Sequence, residues 1–120
     1  MKKQAWTKFP HPDKAFSHAG AALKRNWERL HRGDCELFPE NRAAQDAWRA
    51  YHAGDFAKAV DIGLDAGPAG IIAANKAAMI YANYLEDSEP ARLQLFLDIC
   101  ERCVALQEAE PGNANAWYIH

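Results

Sequence analysis

The sequence predicts an all-α fold: a row of antiparallel helix hairpins preceded by an amphipathic helix. Three observations carry this expectation. Of 120 residues 24 are Ala, whereas Val, Ile and Thr together number nine. Ala is the strongest helix former, and β-branched residues favour strands. Gly and Pro punctuate the chain at helix-length intervals, and apolar residues between them recur at spacings of three and four. A chain of 120 residues has room for one ordinary domain. Within it, residues 1–38 read as a leader plus a basic amphipathic helix, and residues 39–120 as the hairpins.

Pro10 and Pro12 isolate a short leader, and Asp13 offers a side-chain cap for a first helix over residues 13–32. Its apolar face reads Phe16, Ala19, Leu23, Trp27 and Leu30. Arg25, Arg29 and Arg32 line another face, and Gly33 is placed to end the helix as a left-handed cap. Cys35 to Phe38 form a connector. Pro39 then opens a second helix over residues 40–53, stopped by Gly54. Asp55 caps a third over 56–66, in which Ala59 and Gly63 are expected to pack closely on Ala47 and Ala50 of the second. Gly67-Pro68 separates it from a fourth over 69–85. A fifth runs over 89–109, with Pro90 in its first turn and an expected packed face of Leu93, Phe96, Leu97, Cys100 and Val104. Asn113 caps a last helix that starts with Ala114, Ala116 and Trp117. So short a helix is expected to be completed by downstream residues, or to dock on this domain or on a second copy as a homodimer contact.

Net charge is −2, but it is unevenly spread. Residues 1–32 carry a net +6 and residues 33–120 a net −8. The basic segment either packs on the acidic body or meets an acidic partner. The overall balance speaks against general nucleic-acid binding. No run reaches the roughly 18 apolar residues of a membrane span, and Met1-Lys2-Lys3 is followed by no apolar signal core. Three cysteines, an odd count in a chain that is not disulfide-dense, point to a reducing cytoplasm.

Gly54-Asp55-Phe56-x-x-Ala59 resembles the inter-helix turn of the tetratricopeptide repeat (TPR) family. Glu110-Pro111-Gly112-Asn113-Ala114-Asn115-Ala116-Trp117 resembles the junction between one such repeat and the next. Ala74, Ala77, Ala78 and Tyr81 stand where that family places its packing residues and an aromatic. The resemblance covers about residues 40–120. It implies two degenerate repeats and the start of a third, as in the N-terminal part of a longer, bacterial-type repeat protein. Departures are Asp46 in place of an apolar residue, Ala43 in place of an aromatic, and no Gly-Asp-aromatic triplet before Pro90. The second hairpin also exceeds the usual period of about 34 residues.

The same resemblance implies a non-catalytic scaffold that binds a peptide or a partner helix on a concave face, without cofactor. By position that face includes Trp48, Tyr51 and His52 from one unit, and Asn75, Met79 and Asn83 from the next. The other reading of Trp48 and Tyr51 is that they pack against the N-terminal helix. A local echo runs beside the repeat: Trp27-x-x-Leu30-His31-x-Gly33-Asp34 matches Trp48-x-x-Tyr51-His52-x-Gly54-Asp55, 21 residues on. That spacing is too short for a helical hairpin repeat.

Chemistry-bearing motifs are sparse. Cys100 and Cys103 have C-x-x-C spacing, but in mid-helix and without a second pair. Structural cysteines are the simpler reading, and a metal- or thiol-dependent protein is the alternative. The five histidines stand in no metal-binding spacing. Gly67 to Gly70 precede a helix without the lysine of a phosphate loop, so helix punctuation accounts for them. RNA binding through the basic N-terminal helix is a further alternative.

Overall fold

The computed structural model describes residue 6 and residues 17–119. Among these the elements are α1 (Ala22–Leu30), α2 (Arg42–His52), α3 (Phe56–Asp65), a 3-10 turn (Gly67–Gly70), α4 (Ile71–Tyr84), α5 (Glu89–Ala109) and α6 (Ala114–Ile119), with no strand. The protein is all-α. Successive helices from α2 to α5 pack side by side, joined by links too short to do anything but fold the chain back. No helix among the described residues is long and apolar enough to cross a membrane.

Most boundaries follow local chemistry. Asp55 caps α3 by accepting from the Lys58 N–H at 3.4 Å. Gly54, at φ +85°, makes the left-handed turn before it. The Ser88 hydroxyl caps α5, accepting from Ala91 N–H at 3.4 Å. Arg92 in the first turn of α5 reaches back to the carbonyls of Ala82 (3.0 Å) and Glu86 (2.7 Å), satisfying acceptors that the end of α4 leaves open.

Five expectations need correction, the last of them at Gly63. The first helix starts at Ala22, not at residue 13. Ser17 and His18 are irregular and Gly20 adopts φ +59°, while Asp13 and Phe16 lie outside the described residues. Gly33 is not the left-handed residue after α1; Cys35 is, at φ +55°. The Asp34 carboxylate shapes that turn by accepting from the Glu36 N–H at 3.0 Å. Pro39 does not open α2, because Asn41 is extended and caps the helix two residues later, accepting from Ala44 N–H at 3.0 Å.

The fourth correction concerns α5. Its packed side is Leu95, Ile99, Cys103 and Leu106, whereas Leu93, Leu97 and Val104 are 61%, 58% and 41% exposed. Both sets recur at three- and four-residue spacing, so periodicity alone does not choose between them. The face that turns inward is the one joined to α4: Ile99 and Cys103 share a core with Ala77, Ala78 and Tyr81.

Small residues set the helix separations. Ala47, Ala50, Ala59 and Gly63 are all buried, but Gly63 faces α4 and the turn before it rather than α2. A Cβ on Gly63 would lie 2.6 Å from the Gly70 carbonyl oxygen and 2.9 Å from Ala74 Cβ. Within Gly67-Pro68-Ala69-Gly70, Gly70 therefore serves close backbone contact, while Gly67, at φ +70°, makes a left-handed turn. A second core cluster joins Leu23 and Trp27 of α1 to Trp48 of α2, Ile72 of α4, Leu106 of α5 and Ala116 of α6. α6 thus docks on this domain through Ala116, with Asn113 accepting from Asn115 N–H at 3.1 Å as its cap.

Candidate functional site

The densest group of ring and ionisable side chains lies where the last turns of α1 and α2 meet. Each helix carries a Trp and, four residues on, a His, which places the two on one face. Trp27 stacks on His31 with ring centroids 3.8 Å apart, and Trp48 stacks more loosely on His52 at 5.9 Å. The two pairs face each other. Trp27 meets Trp48 edge to face at 5.5 Å, and His31 meets His52 in the same way at 5.0 Å. The echo at a separation of 21 residues is therefore a contact between like residues. Trp27 is further fixed by its indole N–H, which donates to the Glu36 carbonyl at 2.7 Å.

A polar line runs away from this box. Lys76 of α4 donates to Asp34 in a short, largely buried ion pair. Asp34 also accepts from His31 Nδ1 at 3.1 Å, and His31 Nε2 lies 2.9 Å from His52 Nε2. A carboxylate only accepts, so Nδ1 of His31 carries the proton. Neutral His31 then accepts at Nε2, and His52 Nε2 is the donor. Asn115 of α6 donates to Glu36 Oε1 at 2.6 Å and to the Asp34 carbonyl at 3.3 Å. The network fastens α1, its connector, α2, α4 and α6 to one another.

The electrostatics follow from burial. Desolvation holds the pKa of His52 down to about 3, with His31 and His18 as further cationic neighbours when charged. His31 is lowered as well, chiefly by burial, and the raising effect of Asp34 does not overcome it. His18 is lowered for the same reason, and its Nδ1 has no hydrogen-bond partner among the described residues. Burial works against the charge on Asp34, but the hydrogen bonds from Lys76 and the Glu36 N–H prevail and lower its pKa. Burial raises Glu36. At neutral pH this is a site of neutral imidazoles beside one satisfied ion pair. Among the described residues no group of three or more His, Cys, Asp or Glu is arranged to hold a metal ion.

The six residues expected on a concave face do not form an open groove. Trp48 is 1% exposed, covered by Trp27 and His31 of α1. Tyr51 and His52 are half-buried at the edge of the same box. Asn75 is fully buried and spent internally, accepting from Arg102 Nε at 2.8 Å and donating to Cys103 Sγ at 3.3 Å. Met79 is half-buried against the core, and only Asn83 is exposed. The cysteine pair is split as well. Cys103 is buried, with a thiol pushed up by desolvation, and Cys100 is half-buried.

Residues not singled out by sequence reasoning are His31, Asp34 and Lys76. The 21-residue echo was the signal for the first two; Lys76 had none. Among the described residues, two open features lie away from this box and bear on partner binding. A cleft of about 580 Å³ lies between the α1–α2 connector and the α5–α6 turn, lined by Asp34, Cys35, Glu36, Glu110, Asn113 and Asn115 among others. The outer face of α5 presents Leu93, Leu97 and Val104 to solvent, and α6 presents Trp117 and Tyr118. The chain matches no protein-family profile, no curated protein and no solved structure.

Proposed function

We propose that this protein is a non-catalytic interaction module, a degenerate TPR-like row of hairpins that docks a partner protein on the outer face of α5. The observation that carries the reading is the stripe of Leu93, Leu97 and Val104, each 41% exposed or more on one 21-residue helix. Single exposed apolar residues are ordinary, but an aligned row on a rigid helix is a docking feature. The repeat-like arrangement draws support from the roles within Gly54-Asp55-Phe56-x-x-Ala59: a left-handed turn, a helix cap, and two buried packing residues. We place the protein in a reducing cytoplasm on the strength of its three free thiols.

The α1-facing box is a fastening rather than a groove in this reading. Its rings are consumed by one another, and the aligned apolar row of α5 is the surface proposed for a protein partner. A photo-crosslinking residue at position 97, compared with one at position 25 on α1, tests the proposal. A discrete protein adduct specific to position 97 is expected. The purified partner should then bind the wild-type chain and not Leu97→Asp. Equal adducts from both positions, or unchanged binding by Leu97→Asp, overturn the reading.

A further inference from the structure

Resting on that reading, we infer the chemistry of the partner: a cationic amphipathic helix that lies along α5 in coiled-coil fashion. Leu93, Leu97, Cys100 and Val104 are spaced four, three and four residues apart, the alternation of a heptad seam. Leu93, Leu97 and Val104 are exposed and Cys100 is half-buried, so the seam is open. Residues that follow the Leu93 and Cys100 positions by one in each heptad, together with the next in register, are Gln94, Glu101 and Glu108, all exposed. In a coiled coil these flanking positions set partner choice through charge.

The cations of α5 are already committed. Arg92 bonds the Ala82 and Glu86 carbonyls and pairs with Glu89, and Arg102 bonds Asn75. The flank of the seam at Gln94, Glu101 and Glu108 is therefore polar and acidic, and Asp98, further around the helix, accepts from Gln94 Nε2 at 2.9 Å. The other flank carries Cys103 and is packed against α4.

A second copy fits this edge poorly. Two α5 helices paired antiparallel would bring the Glu101 and Glu108 flank of one against the same flank of the other, and like charges repel. The described part of the leader does not occupy the seam either. Trp6 stacks on Tyr81 at 4.0 Å and lies beside Gln94, Leu95 and Asp98, at the outer border of the acidic flank and off the row of Leu93, Leu97 and Val104. A foreign helix with an apolar seam and Lys or Arg beside it satisfies both the stripe and the charge.

Two labelled synthetic peptides test this. Both carry Leu along a heptad seam; one has Lys at the flanking positions and the other Glu. Fluorescence anisotropy at moderate salt should show the Lys peptide binding at least about tenfold more tightly, a difference of about 1.4 kcal/mol. Glu101→Lys with Glu108→Lys should reverse the preference, and Leu97→Asp, checked for helicity by circular dichroism, should remove binding of both. The inference is overturned if the Glu peptide binds as well as the Lys peptide. In that case loss of binding in Leu97→Asp leaves the docking reading standing. If neither peptide binds, the inference is overturned, and the crosslinking from position 97 decides the docking reading separately. Retention of the Lys peptide by Leu97→Asp also overturns the inference, since charge alone would then account for it. So does self-association in sedimentation that Leu97→Asp abolishes, because a second copy would then be the occupant.

Discussion

His31 and His52 face each other Nε2 to Nε2 at 2.9 Å, each stacked on a tryptophan four residues earlier in its own helix. The contact holds one proton between the two nitrogens. A second proton there would make His31 an imidazolium whose N–H faces the His52 N–H, in a buried box already holding Lys76.

Stability is accordingly acid-sensitive. The folded pKa of His52 is about 3, and those of His31 and His18 are also lowered, whereas an unfolded histidine titrates near 6.5. Below pH about 6.5 the unfolded chain binds more protons, so stability present above that value is lost as pH falls. Each excess proton is worth about 1.4 kcal/mol per pH unit. Urea midpoints should fall steadily from pH 7.5 to 5.5, a window above the ordinary carboxylate range. His52→Gln should flatten the slope; an unchanged slope would remove His52 from the account.

Asp34→Asn should destabilise the fold by about 3–5 kcal/mol, the usual cost of leaving one partner of a buried pair uncompensated. The side chains of Lys76 and Asp34 are only 15% and 10% exposed, so water cannot make up the loss. Adding Lys76→Met should recover part of it. Chemical denaturation of the single and double variants reads both effects.

Gly63→Ala gains helix propensity, about 0.5–1 kcal/mol in its favour. Its methyl would meet the Gly70 carbonyl oxygen at 2.6 Å, and overpacking against backbone costs about 1–3 kcal/mol. A lower melting temperature is expected. A variant that melts above the parent would show that α3 and α4 separate freely at this point.

The thiols should react in order of access. Cys35 is exposed and should be modified rapidly by a disulfide reagent in the native protein, Cys100 more slowly, and Cys103 only on unfolding. Burial also raises the Cys103 pKa, which suppresses the reactive thiolate further. Mass mapping after brief labelling distinguishes the three.

Residue chemistry placed the helices wherever capping was local. Asp55, Gly54, Ser88 and Asn113 act within a few residues of themselves, so α3, α5 and the start of α6 stand at or within a residue of their expected limits. Asn41 also caps locally, but Pro39 offered a competing start two residues earlier. Of the site, Trp48, Tyr51 and His52 were expected on a partner-binding concave face, and the echo at 21 residues set His31 beside His52 in sequence without predicting their contact. Asp34 and Lys76 are 42 residues apart, and nothing in local periodicity links them.

The sequence by itself determined that this chain is helical and where most helices begin and end, because propensity, caps and glycine turns act over a few residues. Tertiary structure decided which face of each helix is used. On α5 two apolar stripes compete at equal spacing, and the surface of α4, with Tyr81 and Ala78, buries Ile99 and Cys103 and leaves Leu97 in water. On α2 the covering helix α1 turns Trp48 from a prospective contact into core, because Trp27 and Leu23 need burial of their own. Burial is a property of pairs of surfaces, and a single helix records only its own half.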